Sequence, residues 1–162
     1  MYMKKYITVI LLVIVLISGI FWLINGLVPK NGNVDYKDAV YRIGGQRITL
    51  ASEGFKYFGN EARGDFNGDG NVDVAFLFTY DGGGSGTFYY VAAALGSKDG
   101  YTGTNAFLLG DRIAPQTTEF REGDIIVNYA DRGPAEPMTS SPSIGISKYL
   151  KIDNGNLVVV VK

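Results

Sequence analysis

Between Gly64 and the apolar run Val74-Ala75-Phe76-Leu77-Phe78, side-chain oxygens fall on every second residue: Asp65, Asn67, Asp69, Asn71 and Asp73. Three acids and two asparagines at this spacing suit a tight loop, and the run that follows is apolar on both faces, which predicts a central, well-buried strand. A hard cation such as Ca²⁺ takes six to eight oxygens at short range, and a loop of this spacing can turn them inward. Gly70 follows the third ligand candidate, where a sharp turn is needed and a Cβ would obstruct it. The twelfth position is Phe76, where an EF-hand carries a bidentate glutamate. Asp73 would therefore close the site, with a strand and not a helix after it. The plainer alternative is a polar turn between two strands.

The rest of the chain points the same way. Twenty-two glycines, 11 tyrosines and 9 phenylalanines in 162 residues favour strands and turns over helices. The chain has no cysteine and no histidine. Disulfides, thiol nucleophiles, thiolate zinc sites and a bacterial lipoprotein anchor are excluded, as are the usual general base and the usual transition-metal ligand. A net charge of −1 offers no basic field for nucleic acid.

Tyr6 to Ile24 is an apolar run relieved only by Thr8, Ser18 and Gly19. As a helix it would span roughly 28 Å, close to a bilayer core. Lys4 and Lys5 precede it and belong on the cytoplasmic side, and Tyr6 and Trp22 lie near its two ends, where aromatic rings favour the interface. The expectation is one N-terminal transmembrane helix over 1–24, a polar linker over 25–38 and a domain over 39–162 outside the cytoplasm. The alternative is a cleaved signal peptide and a secreted domain. Neither Ser18-Gly19-Ile20 nor Ile24-Asn25-Gly26 makes a good cleavage site.

From Ala39 onward the signals are strand signals. Val40–Ile43 and Gln46–Leu50 flank Gly44-Gly45 as a hairpin, and Phe55–Arg63 leads into the acidic loop. Val74–Tyr80 leaves the loop, and Thr87–Leu95 returns after the glycine-rich 81–86. The alanines at 92–94 leave a short helix open there. Thr104–Leu109, the hairpin 117–129 around Arg121–Asp124, and the pair Ile146–Ile152 and Leu157–Val161 complete the chain, with Asn154-Gly155 suited to a type I′ turn. The reading is all-β: an antiparallel meander of about nine strands, sandwich or barrel-like.

Gly64, Asp65, Asn67, Asp69, Gly70 and Asp73, with Val74-Ala75-Phe76, match position by position the loop of an FG-GAP or VCBS-type repeat. The resemblance implies Ca²⁺ binding at a loop that pins adjacent strands. It departs from that family in having a single copy, too little chain for a propeller of several blades. Residues 83–90, 109–118 and 127–132 also resemble a group of small exported bacterial proteins, which implies export and relatedness of fold.

Other candidates have plainer readings beside the functional ones. Gly82–Thr87 lacks the Lys-Ser/Thr end of a phosphate-binding loop, and Ser85 has no histidine to serve it. Asp111-Arg112 and Asp131-Arg132 echo each other, either as halves of a polar site or as turn-fixing pairs. Tyr80, Tyr89, Tyr90, Tyr101 and Tyr129 either line a ligand surface or pack a small sheet. Glu119, Glu122 and Glu136 leave open a carboxylate pair. The functional expectation is an anchored, calcium-binding module for an envelope glycan or protein, with a histidine-free polysaccharide hydrolase as the alternative.

Overall fold

The computed structural model describes residues 34–162. The helix expected over 1–24 and most of the expected linker lie outside the described residues. Eleven strands and no helix occur among the described residues, and all strand pairs are antiparallel.

A short hairpin, β1 (Tyr41–Ile43) and β2 (Gln46–Ile48), precedes the central sheet. That sheet runs β3 (Phe55–Gly64), β4 (Asp73–Tyr80), β5 (Phe88–Ser97) and β6 (Gly100–Gly103), with β7 (Phe107–Asp111) also on β5. A second sheet, β8 (Ala114–Arg121), β9 (Asp124–Asp131), β10 (Ile144–Asp153) and β11 (Asn156–Val159), is a plain meander. The two sheets have separate hydrogen-bond ladders and share one core. Ala75, Leu77, Val91 and Ala93 from the central sheet meet Ile125, Val127, Tyr129, Leu150 and Leu157 from the second.

β4 is buried on both faces, as its unbroken apolar sequence predicts. Its other face, with Val74, Phe76 and Phe78, is covered by Tyr36, Ala39, Tyr41 and the partly buried Ile43 and Ile48 of the hairpin. Each large apolar side chain buried this fully is worth about 1.5–3 kcal/mol. The alanines of β5 have a packing reason. Ala92 pairs with Phe76 and Ala94 with Val74. Small side chains there leave room for the Tyr36 and Tyr41 rings, 5.8 and 5.4 Å from Phe76. No helix forms at 92–94.

Three expectations need correction. The linker overlaps the folded body: Val34 bridges to Gly100, Tyr36 is buried, and the Tyr41 hydroxyl donates to the Tyr36 carbonyl. The strand expected over 104–109 starts later, as β7 from Phe107, and a further strand, β6, forms before it at 100–103. β6 pairs with the C-terminal half of β5 and β7 with its N-terminal half, and both lie on one edge. Thr104 sits between them, its N–H on the Ala93 carbonyl and its hydroxyl accepting from the Ala93 N–H. Finally, β7 takes the central sheet out of simple meander order.

Candidate functional site

The acidic loop joins the end of β3 to the start of β4. Its carboxylates are oriented by the loop's own amides. Asp65 accepts from the N–H groups of Gly68, Asp69 and Gly70 at 2.7, 3.0 and 2.9 Å. Asp69 accepts from the backbone N–H of Asn71 at 2.8 Å and from the side-chain amides of Asn71 and Asn67 at 2.9 and 3.0 Å. Gly68 and Gly70 sit at φ 79° and 84°, in the left-handed region that glycine enters without strain. A Cβ at Gly70 would meet nothing within 4 Å, so the backbone angle and not the space requires glycine there.

Asp73 differs from the others. It is completely buried, with one oxygen on the Phe66 N–H and the other on the Gly96 N–H, both at 2.8 Å. One side chain thus ties the loop, the start of β4 and the end of β5 together. Gly96 makes this approach possible, because a Cβ there would lie 2.4 Å from the Val72 carbonyl oxygen. Burial pushes the Asp73 carboxyl above the usual aspartate range, and the charges of Asp69 and Asp65 add to that against the two N–H bonds. Asp69 lies below that range because the Asn71 N–H and the two asparagine amides favour its charged form.

The structure therefore joins Asp65, Asn67, Asp69 and Asn71 in one hydrogen-bonded loop and sets Asp73 beneath it. Among the described residues, no three acids converge closely enough to hold a metal ion in this arrangement. Nor does a lysine or arginine pair with Asp65, Asp69 or Asp73: the four ion pairs among the described residues use Glu61, Asp111, Asp131 and Asp124. An ionised carboxylate has about four acceptor positions, so each of these three keeps capacity beyond its present bonds.

The echoed Asp-Arg pairs come together as a corner. Arg132, its side chain 8% exposed, donates to the carbonyls of Ser140, Asp111 and Arg112 at 2.6, 3.2 and 3.0 Å. Asp111 accepts from the Thr87 N–H at 2.8 Å and from Arg112. These contacts lock the starts of β5 and β8 to the end of β9 and use the donors that a ligand would need.

Glu119, Glu122 and Glu136, which left a carboxylate pair open, sit in three different settings. Glu119 bonds Thr117 on β8, Glu122 lies in the β8–β9 turn, and Glu136 caps the Gly133 N–H beyond the opposite end of β9. The tyrosines pack. Tyr129 is in the shared core, Tyr89, Tyr90 and Tyr101 lie against the two cores, and the Tyr80 ring lies tilted against Phe55 at 4.6 Å.

Sequence reasoning missed Glu61. It accepts from the Tyr36 hydroxyl at 2.7 Å, from the Tyr57 hydroxyl, and from Arg63 at 2.9 and 3.2 Å. Lys37 lies over the Tyr57 ring at 4.3 Å. The available signal was Glu61 and Arg63 two apart on one strand face, since Tyr36 is far away in sequence. Burial pushes the Glu61 carboxyl up, but its donors outweigh burial and hold it below the ordinary glutamate range. A depressed carboxylate contributes stability that is present above its unfolded pKa and lost as pH falls through the folded one. Glu61→Gln should thus cost about 1–2 kcal/mol at neutral pH, with the gap from the parent narrowing on acidification to about pH 3. Parallel urea titrations across that range check this, and a constant gap would reject the charged seam.

Comparison with protein-family models, with curated proteins and with solved structures finds no match to this chain.

Proposed function

We propose that the β3–β4 loop binds Ca²⁺ through Asp65, Asn67, Asp69, Asn71 and Asp73. We further propose that the protein is a membrane-anchored, extracytoplasmic module acting on an envelope glycan or protein by binding. The observation that carries the calcium reading is Asp73. It is a fully buried acid beside two more acids, and no cationic side chain among the described residues pairs with any of them. Burying a carboxylate without a counter-charge costs the fold several kcal/mol unless it is hydrogen-bonded or neutralised, and the two N–H bonds do only part of this. A divalent cation would supply the missing charge and hold the ends of three strands together. Asp69 would have to turn from its asparagine partners toward the ion, which the exposed loop permits. The FG-GAP-like pattern supports the same ligand set.

The apolar run 6–24, with Lys4 and Lys5 before it, supports anchoring with the domain outside. Export fits a weak site, because extracellular calcium modules bind at roughly 10⁻⁴–10⁻³ M. A binding role rests on the composition, which offers no histidine or cysteine as general base or nucleophile.

The test is thermal unfolding of the full-length chain in non-ionic detergent, with Ca²⁺ or with chelator. At tenfold excess over the dissociation constant the ion adds about 1.4 kcal/mol, or several degrees in Tm. Asp69→Ala should abolish the difference. Superimposable curves for the parent protein with and without chelator would reject the calcium site.

A further inference from the structure

A groove of about 490 Å³ opens where the described chain begins, between Val34, the segment 38–40, the β1–β2 hairpin and β6. Its charged lining is Arg42, Arg47 and Asp38. The two arginines are direct partners across the hairpin, so both side chains leave the same face. That face points away from the core, because Tyr41, Ile43 and Ile48 occupy the other.

This pairing is costly as it stands. Like charges directly opposite each other destabilise a strand pair, and β1–β2 is only three residues long on each side. No carboxylate among the described residues lies within ion-pair distance of either guanidinium, Asp38 included. Among the described residues Arg42 has one side-chain partner, the neutral Asn156 oxygen at 3.0 Å, which fixes its direction without neutralising it. A hairpin needing only solubility at this face would do better with one acid in the pair.

We propose that this groove binds a phosphate-type oxyanion, held between the Arg42 and Arg47 guanidiniums. Each guanidinium presents a planar fork of donors that fits two oxygens of one anion. A carboxylate has two oxygens and fills one fork. A phosphate offers enough oxygens for both, so two forks leaving one face favour phosphate over carboxylate. The anion's charge offsets the repulsion across the hairpin, so binding stiffens the ribbon that covers Phe76 and Phe78. A lipid headgroup and a soluble phosphate share this chemistry. The lipid source rests on the anchoring proposed above; the site itself does not.

The experiment is isothermal titration of the full-length chain in non-ionic detergent, with chelator present so that the calcium loop plays no part. Three probes are used: inorganic phosphate, short-chain phosphatidylglycerol and, as zwitterionic control, short-chain phosphatidylcholine. Binding of phosphate, of phosphatidylglycerol or of both is expected, weakening as salt rises. Arg47→Gln should weaken it at least tenfold while leaving Tm without anion unchanged or higher, since the variant relieves the like-charge pair. Phosphate binding without phosphatidylglycerol binding assigns a soluble ligand, and the reverse assigns the lipid. Absence of binding by both anions, affinity unchanged in Arg47→Gln, or equal binding of phosphatidylcholine would overturn the proposal.

Discussion

Asp73→Ala is expected to lower the stability of the domain by about 3 kcal/mol, measured by urea unfolding at neutral pH with chelator present. The figure follows from what the substitution leaves behind. The Phe66 and Gly96 N–H groups each donate to one Asp73 oxygen inside the fold, and alanine satisfies neither. A buried donor left unpaired costs about 1–3 kcal/mol. Relief from burying a carboxylate beside Asp65 and Asp69 returns part of this, so the net lies below the sum. Asp73→Asn should cost less, because one oxygen remains to take one of the two N–H groups while its NH₂ faces the other. The midpoint should move at constant slope, as for a change in stability alone. A loss under about 1 kcal/mol for the alanine variant would show that these bonds do not hold the strand ends together. Set against the several kcal/mol that such a domain has in total, this one side chain carries a large share.

The same residue shows what could be read from sequence and what could not. Five oxygens in alternation mark the loop, and the apolar run after it marks β4 as doubly buried. Both depend on local pattern. The division of labour within the loop is not local. Asp73 looks like one more ligand, yet it is buried with a partner, Gly96, 23 residues away on the neighbouring β5. The turns were legible because left-handed backbone has few donors: Gly44-Gly45, Glu122-Gly123 and Asn154-Gly155 all adopt positive φ. The outer cover was not. Tyr36 sits among polar residues that read as a tether, and only its contacts with Phe76, Tyr101 and Glu61 place it inside. The extra strand β6 was hidden for a related reason. Both lie on one edge of a long β5, and nothing between 100 and 111 announces which half of β5 each will meet.

Arg132→Ala is expected to cost about 2–4 kcal/mol and to open the 132–143 loop to proteolysis. The guanidinium reaches three carbonyls from three separate nitrogens of one rigid plane, whereas an ammonium must offer its three donors from a single atom. Arg132→Lys should therefore recover little of the loss. Its ammonium keeps the charge beside Asp131, so the variant separates charge from geometry. A polar site awaiting a ligand would behave differently, since its donors would be free and their removal would touch binding more than stability. The corner sits at the Tyr80 end of the central sheet, because Asp111 pairs with Phe88 and Phe88 with Tyr80. Asp73 begins the same β4, roughly 25 Å away along the strand. Two sites so far apart with no shared partner should lose stability additively, to within about 0.5 kcal/mol, in the Asp73→Ala/Arg132→Ala double variant. Near-full recovery of stability by Arg132→Lys would defeat the geometric account of this corner. Strong coupling between the two variants would mean that the central sheet transmits strain from the acidic loop to the corner.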